Sequence, residues 1–153
     1  MNNSIPTARD KVLFTPGPLT TSLTVKQAML RDAGSWHFEF NAKVKEIRQR
    51  ILTLAGVTSE KGYECILLQG SGTFGVESVF STSVPEGGKV LVLSNGAYGE
   101  RMVAMLKCLR IANTVYRTGE NEPPDPAYVA SLLEKDTDIT HVAVVHCETT
   151  TGI

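Results

Sequence analysis

Apolar positions along this chain alternate between a helical period and short continuous runs, which predicts helices and strands in turn. Phe40, Val44, Ile47, Ile51 and Leu54 fall on one helical face, with Lys43, Lys45, Arg48 and Arg50 elsewhere on the same surface, so a helix is expected there, ended by Gly56. Ahead of it, the hydroxyls from Thr20 to Ser22 can cap a helix running to about Asp32 and stopped by Gly34. Cys65 to Gln69 reads as a short buried strand, Phe74 to Phe80 as the start of a helix, and Lys89 to Ser94 as the next strand. Tyr98 to Leu109 is expected to be helical, with Met102, Met105, Leu106 and Leu109 on its core side. A strand from Ala112 to Tyr116 follows, then an N-cap at Asp125 with Pro126 in the first helical position, a helix to about Glu134, and a strand from His141 to His146. Such alternation predicts an α/β fold: a three-layer, mostly parallel sheet flanked by helices, without internal repeat or linker.

Between the first two expected strands lies Gln69-Gly70-Ser71-Gly72-Thr73-Phe74-Gly75. A glycine loop opening a helix lets backbone approach an anion, and the free N–H groups with the helix dipole favour negative charge. Three phosphate readings compete. Gly70, Gly72 and Gly75 match the dinucleotide spacing G-x-G-x-x-G, but the acidic residue expected after the next strand is replaced by Asn95-Gly96. A nucleoside-triphosphate loop needs Gly-Lys-Ser or Gly-Lys-Thr, and Gly72 is followed by Thr73-Phe74. A single phosphomonoester held by Ser71, Gly72 and Thr73 suits the hydroxyls; a tight strand-to-helix turn without ligand is the bland alternative.

Composition narrows the partners. The 153 residues are 42% hydrophobic and 20% charged, which is the balance of a soluble globular chain. A net charge of -1 argues against a nucleic-acid or membrane-surface role, because those partners reward a basic face. Cys65, Cys108 and Cys147 lack metal-ligand spacing and sit in apolar stretches, so buried, reduced thiols and a cytoplasmic location are expected. The start lacks the blocks of a signal peptide, and no apolar run approaches the roughly 20 residues of a membrane span.

In a parallel sheet the strands' carboxyl ends share one edge, where ligands bind. Three loops should converge there: Gly70 to Gly75, Asn95 to Gly99, and Glu148 to Gly152. The second carries Tyr98, which could stack on a planar ring or merely pack at a helix start. The third carries Thr149, Thr150 and Thr151, an excess of hydroxyls at a strand end, or a simple hydroxyl-rich turn.

Taken together, Phe14-Thr15-Pro16-Gly17-Pro18, the Gln69 to Thr73 loop, Ser94-Asn95-Gly96-Ala97-Tyr98-Gly99-Glu100-Arg101 and His146-Cys147-Glu148-Thr149-Thr150-Thr151-Gly152 resemble the class V aminotransferases, from about Lys11 onward. The Thr-Pro-Gly-Pro-Leu-Thr-Thr start, Gly34-Ser35-Trp36 and the Cys-Glu-Thr-Thr-Thr-Gly run are most similar to the members that pass the amino group of 2-aminoethylphosphonate to pyruvate in phosphonate catabolism. The resemblance implies an aspartate-aminotransferase-like large domain binding pyridoxal 5'-phosphate, with residues 1–20 as an arm and 21–153 as the first part of that domain. It also implies a homodimer. By the same resemblance Ser71, Gly72 and Thr73 hold the phosphate, Tyr98 stacks on the pyridine ring, Thr149 lies near the ring's phenolic oxygen, and Gly17 lines the substrate side. Family members are considerably longer than 153 residues. Beyond the position of Ile153 they supply an aspartate for the pyridine nitrogen, the lysine that holds the cofactor covalently, and a small domain with an arginine. The segment alone is therefore expected to be inactive, with no catalytic residue of its own. Lys89, Lys107 and Lys135 are read instead as solvated surface lysines.

Overall fold

The computed structural model describes residues 11–15 and 17–153, so the expectations for residues 1–10 and for Pro16 lie outside the described residues. The chain divides into two compact units at Gln69 and Gly70.

In the first unit, the turn around Gly17 is closed by Thr15 Oγ1 donating to the Pro18 carbonyl at 2.7 Å. The Thr20 hydroxyl donates to the Lys11 carbonyl and accepts from Leu13 N–H, each at 2.8 Å. Helix α1 spans Leu23–Ala28, and Ser22 caps it by accepting from Val25 N–H. It stops short of Asp32 because its apolar residues Leu23 and Val25 are exposed, so packing adds nothing to a nucleus that is costly on its own. Helix α2, Phe38–Leu54, matches its predicted period. Its stripe is nevertheless open: Ile47, Ile51 and Leu54 are exposed and Leu52 is the buried residue. Arg48 holds the chain after a single 3₁₀ turn, Ser59–Lys61, by donating to the Cys65 carbonyl at 2.8 Å and pairing with Glu64. Cys65 to Gln69 is not a strand, contrary to expectation. Strand identity needs a neighbouring ladder, and the described residues of this unit include no strand.

The second unit follows the alternating pattern closely. Helix α3 is Gly72–Ser83, β1 Lys89–Ser94, α4 Ala97–Cys108, β2 Ala112–Arg117, α5 Pro126–Lys135 and β3 Ile139–Val144. The three strands form a parallel sheet in the order β2-β1-β3, with Lys89 opposite both Ala112 and Ile139. The last strand starts two residues earlier than its apolar run suggests. Val90, Leu91, Val92 and Leu93 are buried on both faces of the central strand, as expected when a parallel sheet is covered by helices. Phe80 of α3 and Met102, Val103 and Leu106 of α4 join Val90 and Val92 in the core. Met105 and Leu109 pack against it half-buried.

Two burial expectations are corrected. Cys108 and Cys147 are exposed and Cys65 is half-buried, all three free thiols, because the first two sit at a helix end and a turn. Lys89 is half-buried and pairs with Asp136 at 2.6 Å, since its stem lies at the start of the buried strand. Lys107 and Lys135 are exposed. Among the described residues no helix is long and apolar enough to cross a membrane.

Candidate functional site

The chain leaves β1 through α4 to reach β2 on one side, then returns through α5 to place β3 on the other. That reversal makes the carboxyl end of β1 a topological switch point, where the diverging connections open a crevice for ligands. Its two borders are the loop from Ser94 into α4 and the loop that follows β3. These carry Tyr98 and the threonine run.

The start of α4 is held from two directions. Gly96 provides the N-cap position without a side chain. The missing cap comes from Glu148, fifty residues away: its fully buried carboxylate accepts from Tyr98 N–H at 3.2 and 3.1 Å and from Gly99 N–H at 3.2 Å. The same carboxylate takes Thr150 N–H at 3.4 Å and the Thr150 hydroxyl at 3.2 Å. Burial pushes the Glu148 pKa up, but the backbone donors from Tyr98, Gly99 and Thr150 and the Thr150 hydroxyl outweigh it, so the carboxyl titrates below its ordinary range. On the other side Glu100 accepts from Arg117 at 2.8 and 3.0 Å and from the Ser94 hydroxyl at 2.8 Å. The Arg117 bond, seconded by Ser94, lowers the Glu100 pKa against a smaller opposing effect of burial.

Between these anchors the Tyr98 ring is 36% exposed, which leaves a face for a ligand. The Arg101 guanidinium lies 4.4 Å from the ring centroid, and its Nη1 donates to Thr73 Oγ1 at 3.2 Å. That contact ties the glycine loop to the start of α4. The α3 terminus differs from that of α4. Ser71 caps it by accepting from Phe74 N–H at 3.3 Å, and the amides of Gly72 and Thr73, in the first turn, have no intrahelical acceptor. A Cβ at Gly72 would meet no atom within 4 Å, so the space beside it is open. Of the two helix starts at this edge, α4 is filled by the protein's own carboxylate, while α3 offers amides, two hydroxyls and a nearby cation to a phosphate. The residues present fit a phosphorylated cofactor with a planar ring.

Ser71, Gly72 and Thr73 start α3 and Tyr98 lies in the first turn of α4, the two helix starts being joined by the Arg101–Thr73 bond, and Thr149 follows in the loop after β3. Thr149 is exposed, and its hydroxyl has no hydrogen-bond partner among the described residues. Its neighbour Thr150 is the one that reaches Ala97 N–H, at 3.5 Å. Gly17 belongs to the first unit, where it is exposed and a Cβ would meet nothing within 4 Å. Glu148, Arg101 and Thr150 take part as well, beyond the residues the sequence singles out. The spacing of Tyr98 and Arg101, one helical turn apart, was a usable signal for the second of these; nothing local marked the first.

The 2-aminoethylphosphonate--pyruvate transaminase of Lysinibacillus sphaericus (strain C3-41) is 54% identical over 141 residues, 92% of this chain and 38% of that protein. The protein of the same name from Bacillus mycoides (strain KBAB4) is 51% identical over 142 residues, 93% of this chain and 39% of its own length. These proteins are its relatives. The chain spans less than two-fifths of their length. No protein-family model matches it. Among solved structures, a pyridoxamine-pyruvate aminotransferase from Mesorhizobium loti superposes with a TM-score of 0.81 at 22% identity, covering 95% of this chain and 36% of that one. An alanine--glyoxylate aminotransferase from Nostoc sp. gives 0.80 at 25% identity, covering 95% and 38%. The fold is therefore that of these aminotransferases over their corresponding part.

Proposed function

We propose that these residues form the first part of the pyridoxal 5'-phosphate domain of an enzyme that transfers the amino group of 2-aminoethylphosphonate to pyruvate, giving phosphonoacetaldehyde and alanine in phosphonate catabolism. The observation that carries this reading is the 54% identity, over 92% of the chain, to a protein of that name. In this reading residues 1–20 are an arm and 21–153 the start of the cofactor domain. The complete protein is a cytoplasmic homodimer. Free cysteines suit a reducing compartment, and the absence of net basic charge suits a small-molecule enzyme.

The chain's own residues then have distinct tasks. The Ser71 and Thr73 hydroxyls with the Gly72 and Thr73 amides hold the phosphate at the start of α3, fixing one end of the cofactor. Tyr98 supports the ring's face and limits its tilt. The exposed Thr149 hydroxyl would be the donor available to the cofactor's phenolic oxygen. Gly17 lines the substrate side. When bound, the cofactor supplies the electron sink for carbanion chemistry. The lysine that holds it covalently lies outside these residues.

The test is made on the complete protein. Incubation with pyridoxal 5'-phosphate is expected to give a visible absorbance band, and alanine is expected to form from 2-aminoethylphosphonate and pyruvate. A band with alanine formed only from other donors replaces the donor by another small amino compound. No band, together with binding of a nicotinamide dinucleotide in titration, overturns the reading and returns Gly70, Gly72 and Gly75 to a dinucleotide turn.

A further inference from the structure

Among the groups at the switch point, the Glu148 carboxylate has no task in the proposed chemistry, yet it is the most completely satisfied side chain there. It is fully buried and among the described residues meets no cation; its partners there are the amides of Tyr98, Gly99 and Thr150 and one hydroxyl. An unpaired buried carboxylate is costly unless its lone pairs are filled, and here donors from two separate loops fill them. The backbone around it is equally fixed. Glu148 O accepts from Thr151 N–H at 3.2 Å and Gly152 N–H at 2.7 Å, and Glu148 N–H donates to Ile153 O at 2.6 Å. The opposite wall is as close: a Cβ at Gly96 would stand 2.5 Å from Glu148 Cγ and 2.6 Å from Thr150 Oγ1. Gly96 therefore cannot carry the serine or aspartate that ordinarily caps a helix, and the task passes to a side chain long enough to cross from the loop after β3.

We propose that Glu148 is a positioning residue that locks the first turn of α4, and with it the Tyr98 ring, to the threonine loop after β3, so that platform and loop meet the cofactor as one rigid part. This rests on the pyridoxal-phosphate reading of the site. A carboxylate accepts from every donor around it, whereas an amide in its place turns its NH2 toward backbone N–H groups and opens the lock on one side. Tyr98 then loses its fixed azimuth although its ring is unchanged.

The experiment is a double-mutant cycle on the complete protein: wild type, Glu148→Gln, Tyr98→Ala and the pair, each titrated with pyridoxal 5'-phosphate and read by dissociation constant and by circular dichroism of the bound cofactor. Glu148→Gln is expected to weaken binding about tenfold and to diminish the cofactor's dichroic band, and to cost less than about twofold once Tyr98 is alanine, because contacting residues couple. Equal losses in both backgrounds, with wild-type binding intact, overturn the inference alone and leave Glu148 a stabilising residue. No cofactor uptake by the wild type overturns the reading of the site and the inference with it. Gly96→Ala crowds the same lock without removing the charge and serves if Glu148→Gln does not fold. It is expected to show the same dependence on Tyr98, and independence from Tyr98 counts against the proposal in the same way.

Discussion

Thr73 stands where three influences meet: the open first turn of α3, the Arg101 guanidinium at 3.2 Å, and through Arg101 the Tyr98 ring. In the complete protein Thr73→Ala is expected to weaken pyridoxal-phosphate retention by one charge-assisted hydrogen bond, about 1.5–3 kcal/mol. Cofactor remaining after dialysis measures it, and wild-type occupancy in both Thr73→Ala and Gly72→Val removes the loop from the site. Tyr98→Phe is expected to leave the cofactor's visible absorbance nearly intact, because face and quadrupole survive, while Tyr98→Ala loses about 0.5–1.5 kcal/mol beyond area burial. Equal spectra for the two variants contradict stacking. These residues stand out in the sequence because glycine, hydroxyl and aromatic side chains at a helix start state their chemistry locally. Gly70 adds a second local cue: its φ of 152° and a would-be Cβ 2.7 Å from the Phe74 ring both demand glycine. Glu148 was not legible, since its meaning depends on amides fifty positions earlier. The cysteines and Lys89 were misread for the same reason: apolar neighbours in sequence do not fix which side chain ends up covered.

At the level of elements, what could be read was whatever carries its own start and stop. Helix α5 begins as expected, with Asp125 Oδ1 accepting from Ala127 N–H at 3.0 Å and Pro126 next. Asp125→Ala is expected to lower stability by about 0.5–2 kcal/mol, measured by denaturant midpoint with unchanged slope, and no loss means that the cap is dispensable. The start of α4 carries no such local mark, because its cap arrives from beyond β3. That cap is pH-sensitive in a fixed direction. Glu148 titrates lower in the folded protein than in the unfolded chain. Its contribution is therefore complete above the unfolded value of about 4.3 and is lost as the pH falls through the lower folded value. Denaturant midpoints between pH 6 and 3 are expected to fall more steeply for wild type than for Glu148→Gln, and parallel curves refute the assignment. The segment from Cys65 to Gln69 shows the converse failure. Its apolar run was plain, but Ile66, Leu67 and Leu68 are exposed and unladdered, and a strand exists only with a partner.

At the scale of the molecule, the apolar pattern predicted more covered surface than these residues supply to one another. On β3 the residues alternate, and Val142 and Val144 are 45% and 51% exposed on an edge strand. Phe74 and Val79 of α3 are exposed as well, and in the first unit Trp36 and Leu54 reach 92% and 89%. A parallel sheet is normally buried on both faces, and exposed apolar edges template association with other chains. A polypeptide of these 153 residues is therefore expected to self-associate, with a weight-average mass that rises with concentration in sedimentation equilibrium and a melt that shifts with concentration. Replacing Val142 and Val144 by Lys puts charge on the exposed face without touching the buried side of the sheet, and is expected to reduce the association. A sharp, reversible, concentration-independent melt of a monomer contradicts this. If association persists undiminished in the double lysine variant, β3 is not the surface that drives it, and the open stripe of α2, with Ile47, Ile51 and Leu54 exposed along one face, becomes the surface to charge next.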